Sequence, residues 1–173
     1  MILPPTEWVA PTEYPDLRSY DEIAIDLETR DPSLKSKGSG VLRNEGEIVG
    51  ISVAITGEAW YFPIAHGEGP NSDVKRTLEW FKDTLECPAD KIFHNAMYDV
   101  CWIKKLGLQI NGRILDTMIA SSLIDENRFS YTLNTLSWHH LNKGKNESLL
   151  NKAAKERGLD PKKDMWKLPA MEV

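Results

Sequence analysis

The sequence predicts an α/β domain built on one mixed β-sheet, and three observations predict it. Apolar runs of strand length come first, at residues 21–29, 48–55 and 59–64. Apolar residues at helical spacing then alternate with short strands through residues 73–115. Turn residues mark the junctions between them. Consecutive strands followed by alternating helix and strand give three antiparallel strands plus two short parallel ones, flanked by helices. A chain of 173 residues is one domain by its length.

Residues 1–20 carry four of the ten prolines and little periodicity. They are expected to wrap the surface as an extended segment ahead of a domain over 21–173. Residues 21–29 are the first strand, and Ile23-Ala24-Ile25-Asp26-Leu27 within it has apolar residues on both sides of the pleat, which predicts burial on both faces. Residues 30–46, with Lys35-Ser36-Lys37-Gly38-Ser39-Gly40, read as an exposed loop. The next two strands, 48–55 and 59–64, are joined by a hairpin turn at Thr56-Gly57-Glu58.

After a Gly-rich connection, Val74, Leu78, Phe81 and Leu85 recur at helical spacing. Ile92 and Phe93 form a short strand. Asn95 then fits the N-cap of a helix over 97–106, and Gly107 its stop. Residues 108–115 hold the last short strand. Asp116 caps a helix reaching Ile124. Leu133, Leu136 and His140 mark another helix. Leu149, Leu150, Ala153 and Ala154 mark a final one, ended by Gly158. There is no internal repeat and no low-complexity tract.

Hydrophobic residues at 41% and charged residues at 27% describe an ordinary soluble protein. A net charge of −5 works against nucleic-acid binding over the whole surface, so any such contact is expected on a local basic patch. Cys87 and Cys101 read as reduced, packed thiols, and no Cys/His spacing suggests structural zinc. No apolar stretch approaches the roughly 20 residues that span a bilayer. Met1-Ile2-Leu3-Pro4-Pro5 lacks the basic start and apolar core of a signal peptide.

Chemistry concentrates in two places. In Ile25-Asp26-Leu27-Glu28-Thr29 the two carboxylates lie two residues apart, so on a strand they share a face. Side by side they repel each other unless a cation sits between them, which suggests hard divalent metals held by oxygen. In His94-Asn95-Ala96-Met97-Tyr98-Asp99, Asp99 falls one turn into a helix. From there it can reach back toward the first strand as a third carboxylate. Against this, Asn95 is explained equally well as a cap, Tyr98 and Trp102 as core, and Asp116 as an N-cap. His94, His139 and His140 read as hydrogen-bonded structural histidines. Lys104-Lys105 and Lys143-Gly144-Lys145 read as solvated faces first and phosphate contacts second.

Together these segments resemble the 3′–5′ exonuclease domain of family A, bacteriophage-like DNA polymerases, within the DEDD superfamily. Asp26 and Glu28 match its first motif, and Asn95 through Asp99 its second. Asp116-Thr117-Met118-Ile119-Ala120 and Tyr131-Thr132-Leu133-Asn134-Thr135-Leu136 are also similar. The two motifs are specific in this order and at this separation, where neither is alone.

The resemblance implies a ribonuclease H-like fold with the first strand central. It implies a proofreading exonuclease that removes nucleotides from the 3′ end of single-stranded DNA, with two Mg²⁺ ions that Mn²⁺ can replace. Asp26, Glu28 and Asp99 would be both metal ligands and catalytic residues, with Asp26 bridging. Thr29, Asn95 and Tyr98 would contact substrate. A polymerase domain or polypeptide is expected downstream, in the cytoplasm of a phage host, with no membrane partner. The family's third motif, Tyr-x-x-x-Asp or His-x-x-x-x-Asp, is absent: Tyr131 is followed four positions on by Thr135. The expectation is a chain that ends before that motif. An RNase D-like nuclease and an inactive nucleic-acid- or partner-binding module are the alternatives.

Overall fold

The computed structural model describes residues 8–173. Residues 1–7 of the predicted surface-wrapping segment lie outside the described residues. The strands are β1 (Glu22–Arg30), β2 (Glu47–Ile55), β3 (Glu58–Pro63), β4 (Asp90–Phe93) and β5 (Ile114–Asp116). The helices are α1 (Leu34–Lys37), α2 (Val74–Glu86), α3 (Ala96–Lys105), α4 (Thr117–Ile124), α5 (Leu133–Leu141) and α6 (Ser148–Glu156). The strands form one sheet in the order β3-β2-β1-β4-β5. β1 pairs antiparallel with β2, and β2 with β3, while β1–β4 and β4–β5 are parallel. The mixed sheet and the central place of β1 are as expected.

Residues paired across strands share a face, so the register divides the sheet into two surfaces. Ile25–Val53–Trp60 and Leu27–Ile51–Phe62 are rows on the core side. Phe81 and Leu85 of α2 and Trp102 and Ile103 of α3 pack there and are almost fully buried. The other side carries Ala24–Ala54–Ala59, then Asp26–Ser52–Tyr61, then Glu28 beside Gly50. On this side Ala24 and Glu28 are half-buried and Asp26 is exposed. β1 is therefore not buried on both faces, a correction to the sequence reading. Its alternate residues are apolar or small, but α2 and α3 cover one face only, and the alanines leave a hollow on the other.

Helix α2 forms where predicted. Asp73 Oδ1 accepts the Arg76 N–H at 2.8 Å, satisfying one of the orphan donors of the first turn. The described part of the N-terminal segment crosses this helix. Tyr14 stacks on Phe62 with ring centroids 5.0 Å apart, and the Trp80 indole donates to the Pro15 carbonyl at 2.7 Å. Cys87 is buried, Cys101 is half-buried, and both are free thiols.

The predicted strand over 108–115 is shorter than expected, because only Ile114–Asp116 pairs with β4. Before it the chain turns at Gly112, whose φ of 76° and close approach to the Ala89 carbonyl leave no room for a Cβ. This turn brings the Asn111 carbonyl to Lys91, a lysine on the core face of β4. The Lys91 ammonium is fully buried and donates to the carbonyls of Cys87 and Ala89, each at 2.7 Å, and of Asn111 at 3.0 Å. All three N–H bonds are used, which is what burial of a charged group demands.

Beyond β5 the packing changes. No residue of α4 is buried, and in α5 only Leu136 is. Farther on, Ala153, Ala154 and Leu168 form a small separate core with Leu150 and Leu159. Among the described residues no helix is long and apolar enough to cross a membrane.

Candidate active site

The end of β1 is irregular where the carboxylates sit. Glu28 pairs with Gly50 and the next residue, Thr29, with Ile48, so Val49 is an extra residue on β2. Such bulges re-aim side chains and are common beside functional sites. Asp26 and Glu28 project from the open face, while Thr29, past the bulge, bonds through its hydroxyl to Tyr98 OH of α3 at 2.6 Å.

Strand β4 pairs with β1 only as far as Ala24. Beyond it Asp99 of α3 takes over: its Oδ1 accepts the Leu27 N–H at 3.0 Å. Asp99 is 3% exposed. One hydrogen bond thus joins two segments 72 residues apart and sets Asp99 beside the Asp26–Glu28 strand.

The three acids feel each other. Burial pushes the Glu28 carboxyl up to about 7, and the charge of Asp26 adds to the rise. Burial and then Asp26 also push Asp99 up to about 7, against the Leu27 N–H, which favours the charged form. Burial raises Asp26 too, opposed by the charges of Lys145 and His94. Acids this reluctant to ionise together fit a divalent cation in donor type and in mutual field. Among the described residues, however, no three Asp, Glu, His or Cys side chains already form an ion cage.

Asn95 departs from its expected role. It occupies the N-cap position of α3 with φ 66°, but its side chain makes no capping bond. Asp116 does that work from the end of β5. Its Oδ1 accepts the Asn95 N–H at 3.1 Å and its Oδ2 the Ala96 N–H at 2.8 Å, and Oδ1 also caps α4 through the Met118 N–H at 2.9 Å. Asp116 is an N-cap, as read, but for two helices. Its carboxyl is held below the usual range: burial raises it, and the N–H groups of Ala96, Asn95, Met118 and Ile119 outweigh that. The Asn95 side chain is left exposed at the lip of the site.

Two residues near the carboxylates had no motif to reveal them. Tyr61 lies in the same cross-strand row as Asp26, and its hydroxyl rests over Gly50, where any Cβ would collide with it. That hydroxyl bonds to Nε2 of buried His66. The other ring nitrogen of His66 meets the Leu168 carbonyl at 2.8 Å and must hold the proton. Nε2 is then the acceptor and Tyr61 the donor. The signal was present in part: a tight turn at 56–58 sets Tyr61 opposite Ser52, but only the β1–β2 register brings Asp26 into that row.

Hollows flank the acids. An apolar one of about 470 Å³, walled by Ala24, Ala54, Ala59 and Ile92, reaches Asp26 along the open sheet face. A more polar cleft of about 580 Å³ opens on the other flank of Asp26, toward the start of α3 and α5. A third, of about 400 Å³, lies over Glu28 and Tyr61. The structure thus sets Asp99 beside the strand that bears Asp26 and Glu28, with Asn95 at the rim. It places Thr29 and Tyr98 together on the far side of the bulge, bonded to each other.

Comparison with known proteins identifies the family and the fold. A family model described as 3′–5′ exonuclease matches residues 14–168. A DNA-directed DNA polymerase of Pseudomonas phage M6 is 36% identical over 97% of this chain, which covers 26% of that protein. The chain spans about a quarter of the length of the curated relatives it matches. Among solved structures, Brucella melitensis NrnC with bound Mg²⁺ is similar at a TM-score of 0.57 and 20% identity, covering 77% of this chain and 59% of that one. Escherichia coli RNase D is similar at a TM-score of 0.55 and 13% identity, covering 86% of this chain and 35% of that one. At such identities the likeness is one of fold: the ribonuclease H-like mixed sheet.

Proposed function

This chain belongs to the 3′–5′ exonuclease family, and we propose that it hydrolyses single-stranded DNA from the 3′ end as the proofreading part of a DNA polymerase. The observation that carries the reading is the meeting of carboxylates from two distant stretches, with Asp99 tied to the backbone of the strand that bears Asp26 and Glu28. DNA is the proposed substrate because the 36%-identical relative is a phage DNA-directed DNA polymerase. A polymerase unit is the proposed partner and the host cytoplasm the proposed setting.

Asp26, Glu28 and Asp99 would hold two Mg²⁺, or Mn²⁺ in their place. Bound there, the ions would make a water nucleophilic near neutral pH and stabilise the leaving oxygen. The chain's own part would be to keep three acids at one site: the pleat aims Asp26 and Glu28 the same way, and the Leu27 N–H holds Asp99. Asn95, with its amide unengaged, would contact the terminal nucleotide. Thr29 and Tyr98 would do so as a bonded pair.

The test is degradation of a 5′-labelled single-stranded oligodeoxynucleotide with Mg²⁺, with Mn²⁺ and with EDTA, and of the matching oligoribonucleotide. A metal-dependent ladder shortening from the 3′ end, absent in Asp26→Ala, is the expected result. Undiminished turnover in that variant would sink the assignment. Preference for the RNA strand would move it to the RNase D-like reading. Binding without cutting, indifferent to Mg²⁺ and to Asp26→Ala, would mark a binding module.

A further inference from the structure

The polar cleft beside Asp26 holds groups that the fold orients and then leaves without partners. Its walls include His94 and Asn95 from the start of α3, Thr132 and Asn134 from the start of α5, and Lys145. The His94 Nδ1 pairs with Thr117 Oγ1 at 2.9 Å, and that hydroxyl in turn donates to the Phe93 carbonyl at 3.1 Å. Nδ1 therefore carries a proton, and the buried Nε2 has no hydrogen-bond partner. The Asn95 amide is idle because Asp116 does its capping. Lys145 forms no ion pair among the described residues, though its charge acts on both Asp26 and Glu28.

Lys145 is also held in place. Its N–H donates to Asn134 Oδ1 at 2.8 Å. The preceding Gly144 lies against the Trp138 ring so closely that a Cβ there would collide with the indole. These contacts fix the backbone at Lys145 and leave its exposed side chain at the cleft. An exposed cation without an ion pair and an exposed, unengaged amide thus line one cavity that opens on the acids, beside one buried ring nitrogen without a partner, and a buried polar atom left so calls for an explanation.

We propose that this cleft is a phosphodiester-binding track for a single nucleic-acid strand, with Lys145 as its principal phosphate contact, delivering the strand to Asp26. The inference rests on the exonuclease reading and adds to it a specificity residue outside the two acidic motifs. It also answers the charge problem. In a chain of net charge −5 the strand is received at a local basic point directly beside the acids. The Lys145 ammonium and the Asn95 amide N–H donate to phosphate oxygens, which only accept.

The experiment is fluorescence anisotropy of a labelled oligo-dT on the full chain, with Ca²⁺ in place of Mg²⁺, across a salt series. Wild type, Lys145→Ala, Lys145→Arg and Lys104→Ala are compared, the last a solvated lysine outside the cleft. Lys145→Ala is expected to bind roughly tenfold more weakly, the effect of losing one charge-assisted contact. The slope of log affinity against log salt should shrink by about 0.7, the value for one phosphate on a single strand. Lys145→Arg should retain both, Lys104→Ala should match wild type, and all melting temperatures should agree. Lys145→Ala with wild-type affinity and slope overturns the track, and leaves the exonuclease reading intact if cleavage still requires Asp26. A wild type that neither binds nor cuts overturns both.

Discussion

Phe81 and Ile103, on α2 and α3, are completely buried against the sheet, whereas Leu123 and Ile124 on α4 are 82% and 80% exposed. Phe129, Trp138 and Leu141 extend that bare apolar surface through the region of α5. Both regions contribute to the candidate site, but different interactions hold them. The sheet with α2 and α3 is fixed by burial. The α4–α5 arm is fixed largely by hydrogen bonds at its helix ends: Asp116 at the start of α4, Thr132 at the start of α5, and Tyr131 OH on the Asp125 carbonyl at 2.7 Å. A catalytic frame can thus be rigid on one flank and only tethered on the other. The acids belong to the rigid flank and Lys145 to the tethered one.

The contrast can be broken at its strongest point first. Asp26→Ala should cut metal-dependent nuclease activity by more than about 100-fold, since even groups supporting a metal ligand cost that much. Its melting temperature in metal-free buffer should stay level or rise, because one member of a repelling set is gone. Phe81→Ala should then cost about 3–5 kcal/mol in a denaturant titration, the usual cost of emptying a buried aromatic site.

Metal-free stability should depend on pH in the direction set by Glu28 and Asp99. Both carboxyls are raised in the folded chain to about 7 from ordinary values of 4.5 and 3.8. Between those limits the folded state binds more protons than the unfolded one. Stability is therefore greatest below the unfolded values and is lost as pH rises toward 7. Added Mg²⁺ should restore it, more at pH 7.5 than at pH 5, as read by thermal melts. A melting temperature that climbs with pH over that interval in EDTA would contradict the mutual repulsion.

Asp116→Ala should cost about 1–2 kcal/mol, the size of a lost helix cap, with the loss seen as faster hydrogen exchange at the starts of both α3 and α4. Exchange confined to α4 would mean that α3 caps itself. Leu123→Ala should be the mildest, within about 0.5 kcal/mol of wild type, as for surface positions generally. A loss near that of Phe81→Ala would mean that the α4 surface is covered in solution.

The sequence was most legible where the signal is local. The alternation in β1, the turn before β3 and the helical spacing of Val74, Leu78, Phe81 and Leu85 each depend on a few neighbouring residues. The spacing of Asp26 and Glu28 put them on one face without any knowledge of the rest. What escaped depends on distance. Asn95 has the right residue type for a cap, yet a carboxylate 21 positions later does the work, and no window of sequence contains both. Ala24 is apolar and in phase, but whether its face is covered is decided by where α2 and α3 lie. Lys91 reads as a surface residue until the turn at Gly112 supplies its last carbonyl. Tyr61 and His66 needed the sheet register before they could be set near the acids.

Lys91 has one practical consequence. Its amine is sealed beneath three carbonyls, so an acylating reagent can reach it only when the edge β4–β5 detaches from β1. Exposed lysines such as Lys145 will be labelled at the reagent's own pace, while Lys91 will be labelled at the pace of opening. Read by peptide mass spectrometry, that one lysine serves as an internal clock for the breathing of the strand against which the acids are set.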